Sequence, residues 1–364
     1  MNGRYVPQDC SGLNKNQRLA CLSQRMPIEF FSITDAAQSA EDEQVTSHMR
    51  VCLKVLAGFQ GMITTSPSEP ILSEAVSEIM SSEGFDAPRA LQEVMSGFSI
   101  HKGDRGKFIV MLLLTLARDN AVKSSSRVIS VTGFLESLFR DNINVLSSRP
   151  SVQPKNQTQA PRLREALANA KLHFNHFIKV HQHSVIRRKY LAALISRGAA
   201  ILCGNCQPGV DGVIPFVFEG DHLEADIIGV ILWQSKLDKS YTNDPDYSLF
   251  DKMDPIRLKI FDGEESIPVI RIVFALAART SSVQVLPENK ERTSSCIAYD
   301  IWCSGASSDL APVKQGAMDT WTSLVGESEG WRDIYKGETV ELRKSMNPGV
   351  GDDNAFWEKW ASLR

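Results

Sequence analysis

The sequence predicts an α/β fold in which a mixed β-sheet is flanked by helices and preceded by an all-helical region. Up to about residue 147, apolar residues recur at three- and four-residue spacing, the period of a helix that packs along one side. Beyond residue 161, short apolar runs with the pattern of buried strands follow a helical segment. That order is typical of a mixed sheet covered by helices.

The N-terminal half is predicted to consist of a flexible arm, residues 1–26, and a helical domain, residues 27–147. The arm is polar and irregular, whereas Ser, Gly and Pro divide the following region into successive apolar segments. The predicted helices are 42–63, 70–80, 88–98, 106–120 and 131–143. The most apolar run, FIVMLLLTLA, is too short to span a bilayer, so we expect a buried helix there.

The C-terminal half is predicted to begin with a linker, residues 148–161, which carries three Pro and few large apolar side chains. An α/β domain follows at 162–310. Its predicted elements are a helix or helix pair at 162–197, a strand at 199–203, strands around Asp211 and Ile227, and strands at 267–277 and 295–302. Residues 311–364 predict a helical or irregular extension. Its predicted anchors are Trp321, Trp331, Trp357 and Trp360.

Two strand-like apolar runs flank an acidic loop in the sequence DGVIPFVFEGDHLEADIIGVILWQSK, and they predict a hairpin. Paired residues of an antiparallel hairpin have a constant number sum, so pairing Phe218 with Ile227 places Asp211 opposite Gln234. Gln234 and Lys236 then share one face, because side chains alternate along a strand. A one-residue slip would move both to the other face. This register offers two oxygen ligands for a divalent cation beside an ammonium group.

These residues resemble the PD-(D/E)XK restriction-endonuclease-like nucleases. The sequence Gln-Pro-Gly-Val-Asp that ends at Asp211 resembles the Asp element of that family, and Gln234-Ser235-Lys236 resembles the second element in its Gln variant. The resemblance implies that Asp211, Gln234 and the Ser235 backbone carbonyl hold Mg²⁺ or Mn²⁺. It also implies that Lys236 orients or activates the attacking water of a metal-dependent nuclease. The wider chain is also similar to fungal proteins of crinkler-like families.

The resemblance covers about residues 160–305 and departs from the family pattern at two points. Gln234 offers a neutral oxygen where a carboxylate is usual, so we expect weaker cation binding. The family also carries an acidic residue on the helix before the first strand, and the nearest upstream acid here is Glu165. The alternative function is a catalytically inactive nuclease-fold protein that binds nucleic acid or a protein partner. On a purely structural interpretation, Asp211 turns the chain into a strand and Lys236 is a solvated strand end.

The net charge of −3 excludes a globally basic nucleic-acid binder, so any such role must come from a local patch. Residues 166–210 contain no Asp or Glu and carry six Lys or Arg, whereas 211–265 carry 13 acidic and 5 basic residues. Within this acid-free tract, Arg187, Arg188 and Lys189 are the predicted nucleic-acid contacts. The alternative is a solvated helix face.

Seven cysteines give an odd count and the N-terminus is polar, which predicts an intracellular protein of the cytoplasm or nucleus. Cys203 and Cys206 have the spacing of a zinc knuckle, with Cys296 and Cys303 as possible partners, but buried thiols are the favoured interpretation.

His173 and His176 lie three residues apart on the predicted helix, where a basic, partly exposed face is favoured over a metal site. The sequence lacks the motifs GxxxxGK[ST], GxSxG, HExxH and GxGxxG, which argues against ATPase, serine hydrolase, zinc protease and dinucleotide oxidoreductase functions.

Overall fold

The computed structural model describes residues 10–330, apart from 30–34, 57, 59–60, 98–101, 123–126, 141–143, 155–159, 205–206, 219–222, 264, 290–291 and 293. The helices are α1 Lys15–Arg25, α2 Asp35–Thr46, α3 Pro70–Ser81, α4 Ala87–Gly97, α5 Lys102–Ala121, α6 Val131–Leu138, α7 Leu163–Ala166, α8 Arg188–Ser196, α9 Tyr247–Lys252 and α10 Met318–Gly330. The strands are β1 Val51–Val55, β2 Met62–Thr65, β3 Ile129–Ser130, β4 Ala170–Leu172, β5 His176–Val180, β6 Ala199–Cys203, β7 Gly212–Phe218, β8 Ile228–Lys236, β9 Glu265–Ala275, β10 Ser282–Val285 and β11 Cys296–Ser304. The mixed α/β class and the mainly helical N-terminal region are confirmed.

The described strands form a two-stranded hairpin, β1–β2, and one nine-stranded mixed sheet. The main path through the sheet is β10-β11-β9-β8-β7-β4-β3. Strand β4 pairs with the end of β7, whereas β6 pairs with the start of β7 and also with β5. The pairs β8–β9 and β9–β11 are parallel, whereas β7–β8 is antiparallel. The hairpin predicted around Asp211 therefore lies in the middle of the sheet.

Both faces of the central strand β8 are buried. Ile231 and Trp233 point into a cluster that contains apolar residues of α1, α3, α4, α5, α6 and α10, whereas Val230 and Leu232 point into a second cluster with α8 and α9. Successive side chains of a strand alternate between faces, which explains the division. The N-terminal helices thus share a hydrophobic core with the sheet.

The predicted N-terminal arm was wrong for the part that the structure describes. Residues 15–25 form α1, and a capping box between Asn14 and Gln17 satisfies backbone donors at its start. Leu22 is fully buried and Arg25 lies beside it in the interior, so this helix is part of the core. The helix was not predicted because this segment is mainly polar and has few apolar residues, which lie along a narrow stripe.

The predicted helix 42–63 was wrong beyond Thr46, because α2 ends there and the chain enters the hairpin β1–β2. His48 adopts a left-handed backbone conformation with φ of 59°, which stops the helix. Arg50 then fixes the hairpin by donating from Nε to Thr64 Oγ1 at 2.8 Å. The helical spacing of apolar residues was coincidental, since Leu53 is 63% exposed.

The predicted helix 162–197 was also wrong over most of its length. The chain forms the four-residue α7, then strands β4 and β5, and only then α8. A run of aromatic and β-branched residues, from His176 to Val180, pairs in parallel with β6 and therefore favours a strand. The edge strand β10 was not predicted, and α6 ends five residues earlier than expected.

The described part of the predicted linker is held against the sheet, because the N–H of Ser151 donates to the Ala298 carbonyl at 2.8 Å. Of the four predicted tryptophan anchors, Trp321 is buried on α10, and Trp331, Trp357 and Trp360 lie outside the described residues. Within the described parts of the chain, no helix combines the length and the apolar character needed to cross a membrane.

Candidate active site

The predicted hairpin register is the register that the structure has. Strand β7 pairs with β8 from Val217 opposite Ile228 to Gly212 opposite Trp233, as predicted. The ladder ends at that pair, so the predicted pairing of Asp211 with Gln234 is not part of it. The backbone of Asp211 is held on both sides. Its N–H donates to the Trp233 carbonyl at 2.9 Å, and its carbonyl accepts from the N–H of Cys203 at 2.8 Å.

Two glycines allow this close approach. A Cβ on Gly212 would lie 2.3 Å from the indole ring of Trp233, so only glycine lets that ring lie across β7 beside Asp211. Gly209 has a φ of +86°, and a Cβ there would lie 2.3 Å from the carbonyl oxygen of Lys252. The turn before Asp211 therefore packs against the end of α9.

The Asp211 carboxylate pairs with backbone and side-chain donors of β8 beyond the end of the β7–β8 ladder. Its Oδ2 accepts hydrogen bonds from the N–H of Ser235 at 2.7 Å and from the Ser235 hydroxyl at 3.2 Å. Its Oδ1 lies 3.9 Å from Nζ of Lys107 on α5. Burial raises the pKa of Asp211, and the hydrogen bond from Ser235 and the charges of Lys107 and Lys236 oppose that rise.

Gln234 contributes an unpaired oxygen to the same strand end. The residue is 7% exposed, and its Oε1 is buried without a hydrogen-bond partner among the described residues. Along β8 it follows Leu232, so it faces the cluster that contains α8 and α9. The Asp211 carboxylate is instead turned toward the Ser235 hydroxyl and Lys107 on the α5 side, so the expected placement of both side chains on one face is not what the structure has. A buried carbonyl oxygen without a partner is costly, and it is common where an ion or a water belongs.

Lys236 ends β8 on the same face as Gln234, and its Nζ lies 5.5 Å from the centre of the Tyr241 ring. Burial lowers the pKa of Lys236, the charge of Asp211 raises it, and the charge of Lys252 lowers it further. A lysine whose pKa is lowered by burial is better able to accept a proton than a solvated one.

The structure adds two residues that the sequence did not indicate, Asp104 and Lys107. Both lie at the start of α5, which packs so closely on β8 that a Cβ on Gly106 would lie 3.2 Å from the Ser235 hydroxyl oxygen. Nζ of Lys107 lies 3.4 Å from Oδ1 of Asp104. In the sequence they are two of four charged residues within 102–107, just before the most apolar run, and that pattern does not single them out.

Glu165, the upstream acid considered from the sequence, has a different position. Its carboxylate accepts from the N–H of Arg162 at 3.1 Å and caps the short helix α7. Asp104 is therefore the helical acid whose ion-pair partner, Lys107, reaches Asp211.

The oxygen atoms proposed as ligands can be compared with those that a hard divalent cation prefers. Lys236 turns its carbonyl toward β9, where it accepts from the N–H of Leu276 at 2.9 Å. Backbone carbonyls of successive residues in a strand point to opposite neighbouring strands. The Ser235 carbonyl therefore points toward β7, on the side of Asp211. One carboxylate, one unpaired amide oxygen and one backbone carbonyl are all oxygen ligands, which fit Mg²⁺ or Mn²⁺. Only one of the three is charged.

A more strongly charged metal site is not found in the described ranges, which contain no group of three or more His, Cys, Asp or Glu placed to hold a metal ion. Any cation at Asp211 would also have to replace the hydrogen bonds that its carboxylate makes with Ser235. The donor set therefore fits a weakly held cation.

The acid-free tract does not form one helical face. The Arg187 guanidinium donates to the Lys259 carbonyl, and the Arg188 guanidinium lies 4.2 Å from the centre of the Phe261 ring. Lys189 is exposed at the start of α8. The two arginines are thus partly engaged in packing, and Lys189 presents its charge to solvent.

The cysteine and histidine pairs considered from the sequence do not form metal sites together. Cys296 and Cys303 lie in the two different clusters, on opposite faces of the sheet. Cys203 is buried, which raises its thiol pKa to about 12, and Cys206 lies outside the described residues. His173 precedes β5 and His176 begins it, so their helical spacing has no meaning.

His176 belongs instead to a buried polar network. Its Nε2 lies 2.8 Å from Ser68 Oγ and its Nδ1 lies 2.7 Å from Asn175 Oδ1. Burial lowers its pKa to about 4, and the nearby charges of Arg25 and Arg197 act in the same direction. His176 is therefore a neutral, hydrogen-bonded core residue near pH 7.

A family described as a domain of unknown function (DUF8736) matches residues 14–253. The match covers well over half of the 364 residues, and the chain belongs to this family. No curated protein and no solved structure matches the chain. The matched segment begins just before α1 and ends just after α9, so it joins the N-terminal helices to the strands that carry Asp211 and Lys236.

Proposed function

We propose that this member of a family without an assigned function is a divalent-cation-dependent nuclease that hydrolyses phosphodiester bonds of nucleic acid. The proposal includes a PD-(D/E)XK type of site in which Asp211, Gln234 and the Ser235 carbonyl hold Mg²⁺ or Mn²⁺. Lys236 is the catalytic base or water-positioning group. The proposal includes a cytoplasmic or nuclear place of action.

The observation that carries the proposal is the unpaired oxygen of Gln234. A buried amide oxygen with no partner among the described residues lies on β8 next to Ser235, the residue that donates two hydrogen bonds to the Asp211 carboxylate. The charge of Asp211 also acts on Lys236, whose own pKa is lowered by burial. Oxygen ligands near a partly desolvated amine would suit cation-assisted hydrolysis.

The chemistry divides among these groups. A bound cation would supply Lewis-acid stabilisation of the phosphate and lower the pKa of a bound water. Lys236 orients the attacking water through Nζ and accepts its proton. The water oxygen bonds to phosphorus, the bond from phosphorus to the bridging ester oxygen breaks, and the leaving oxygen takes a proton from solvent.

The acid-free tract supports the choice of substrate. It carries six Lys or Arg and no acid, and Lys189 is exposed at the start of α8. The end of β6 pairs beside Asp211, so the chain that leaves α8 leads directly to the proposed cation site. Positive charge that is exposed on the same domain favours a polyanionic substrate.

The test is cleavage of single-stranded and duplex DNA and RNA with Mg²⁺, with Mn²⁺ and with EDTA. We expect cation-dependent cleavage in the parent protein and its loss in Asp211→Asn and Lys236→Met. Lys239→Met, which removes an exposed lysine three residues beyond Lys236, is the matched control and should keep the parent rate. Cleavage that survives in Asp211→Asn would reject the proposed site.

A second function, nucleic-acid or protein binding without catalysis, is favoured by one specific observation. Both Asp211 oxygens are already occupied, Oδ2 by Ser235 and Oδ1 by the nearby ammonium of Lys107. If the Asp211 carboxylate stays engaged in this way, it holds no cation, and the protein would bind nucleic acid or a protein partner without hydrolysing it. Nucleic-acid binding with no cleavage under any cation condition would support that second function.

A further inference from the structure

The negative charge at the proposed cation site is balanced by an ammonium group of the protein itself. Nζ of Lys107 lies 3.9 Å from Oδ1 of Asp211 and 3.4 Å from Oδ1 of Asp104. The side chains of Lys107 and Asp211 are only 11% and 16% exposed, so salt screens their attraction weakly. Lys107 therefore stands between two carboxylates, and one of them is the charged ligand of the proposed site.

We propose that Lys107 is an internal counter-ion that competes with the divalent cation for Asp211, and that Asp104 holds the Lys107 ammonium when the cation displaces it. This inference rests on the proposed function, because it requires cation binding at Asp211. It assigns to α5 control over the cation affinity of a site built on β7 and β8.

The physical reason is the small charge of the donor set. Gln234 and the Ser235 carbonyl are neutral ligands, so Asp211 provides the full negative charge, and an ammonium about 4 Å away offsets it. A second positive ion cannot bind well while that ammonium stays in place. Lysine can move because its flexible four-carbon stem lets Nζ turn toward a second acceptor.

Asp104 makes this displacement inexpensive in free energy. Its Oδ1 is already closer to Nζ of Lys107 than the Asp211 oxygen is, so the ammonium keeps a partner after it leaves Asp211. Without Asp104, displacing the ammonium would leave a poorly solvated charge without a partner, which is unfavourable. Asp211 therefore holds the Lys107 ammonium where it opposes cation binding, whereas Asp104 draws the ammonium away and favours cation binding.

The first test measures Mn²⁺ affinity by calorimetric titration, without nucleic acid. Lys107→Met keeps the length of the side chain and removes its charge, and we expect it to bind Mn²⁺ about tenfold more tightly than the parent. Lys107→Arg keeps the charge and should not tighten binding. Lys252→Met removes an exposed ammonium that acts on Lys236 without an ion-pair contact to Asp211, so its effect should be clearly smaller.

The second test is a double-mutant cycle between Lys107 and Asp104. Asp104→Asn should weaken Mn²⁺ binding several-fold in the parent and have no effect in the Lys107→Met background. If Asp104 were itself a cation ligand, Asp104→Asn would weaken binding equally in both backgrounds, and that result would overturn the assigned role. Thermal unfolding of each variant with and without Mn²⁺ checks folding, and Lys107→Gln replaces Lys107→Met if that variant does not fold.

The outcomes separate this inference from the function on which it rests. Mn²⁺ binding that is lost in Asp211→Asn but unchanged in Lys107→Met would keep the cation site and overturn the role of Lys107. Binding that is absent in the parent and present in Lys107→Met would support both. If neither the parent nor Lys107→Met binds Mn²⁺, the cation site and the counter-ion role are both rejected.

Discussion

The carboxylate of Asp211 accepts a 2.7 Å hydrogen bond from the backbone N–H of Ser235, just beyond the last pair of the β7–β8 ladder. This bond ties the proposed charged ligand to the strand that carries Gln234 and Lys236. It also turns the carboxylate toward Ser235 and α5, so a cation must rearrange it. Cation affinity should therefore be modest and sensitive to small changes in charge.

The first prediction concerns the neutral ligand. Gln234→Glu should tighten Mn²⁺ binding by about tenfold, because it adds a formal negative charge to a hard-cation site of nearly the same shape. Calorimetric titration measures the change. Gln284→Glu, which adds the same charge on the edge strand β10, is the control and should leave the affinity unchanged. Equal affinity of Gln234→Glu and the parent would mean that Gln234 is not a ligand.

The second prediction concerns nucleic-acid binding. Lys189→Ala should weaken binding to duplex DNA and reduce the slope of log affinity against log salt by up to about 0.9, the value for one lost phosphate contact. Arg187→Ala and Arg188→Ala should weaken binding too, and should also lower stability because both side chains make packing contacts. Fluorescence anisotropy at several salt concentrations measures the slopes.

Lys171→Ala is the control for that experiment, since Lys171 lies in the same acid-free tract but pairs with Val217, at the far end of β7 from Asp211. We expect it to keep the parent slope. If Lys189→Ala keeps both the slope and the affinity of the parent, the start of α8 is only a solvated surface.

The third prediction concerns pH. The pKa of His176 is about 4 in the folded protein and 6.5 in the unfolded chain, so the unfolded state binds the extra proton between these values. The free energy of unfolding should therefore fall as the pH drops from 6.5 to 4, with about 3 kcal/mol of that fall due to His176. Above pH 6.5 this contribution is complete.

Urea unfolding at both pH values measures that contribution. In His176→Gln the loss of stability between pH 6.5 and 4 should be smaller than in the parent by about that amount. His183→Gln, which replaces an exposed histidine outside the His176 network, is the control. An unchanged pH dependence in His176→Gln would show that another group dominates the acid sensitivity.

The fourth prediction concerns a buried ion pair that joins β9 to β11. Arg271 donates from Nε and Nη2 to the two oxygens of Asp300, at 2.6 and 2.8 Å, and both side chains are almost fully buried. Asp300→Asn should destabilise the protein by about 3–5 kcal/mol, because it leaves a buried guanidinium without its counter-charge. The midpoint and slope of urea unfolding give the change.

The surface pair between Glu136 and Arg164 is the matched comparison, since both side chains are largely exposed. Glu136→Gln should cost less than about 1 kcal/mol. Similar costs for Asp300→Asn and Glu136→Gln would contradict the structural role assigned to the buried pair.

The central hairpin β7–β8 was predicted correctly from the sequence, whereas several elements of the N-terminal half and of residues 162–197 were not. The β7–β8 register followed from the two apolar runs and the length of the loop between them. Helix–strand errors occurred where short apolar runs fit both periods. The run His176–Val180 became a strand through its pairing with β6, which is a tertiary contact that local spacing does not encode.

The site was predicted in part for the same reason. Gln234 and Lys236 lie on β8 just beyond its pairing with β7, and Asp211 directly precedes β7, which sequence spacing can indicate. Asp104 and Lys107 reach the site through the packing of α5 on β8, about a hundred residues upstream, and no local pattern indicates that contact. The engagement of Arg187 and Arg188 by Lys259 and Phe261 depended on packing in the same way.

The most direct test of the central claim is a crystal structure of the parent protein soaked in Mn²⁺, with anomalous scattering used to locate the ion. We predict one peak within about 2.0–2.6 Å of an Asp211 carboxylate oxygen, Gln234 Oε1 and the Ser235 carbonyl oxygen, the distance range of hard divalent cations. Nζ of Lys107 should have moved away from Asp211 toward Asp104. Mn²⁺ peaks elsewhere on the protein, with the Asp211–Ser235 hydrogen bond and the Lys107 contact intact, would contradict a cation site at Asp211.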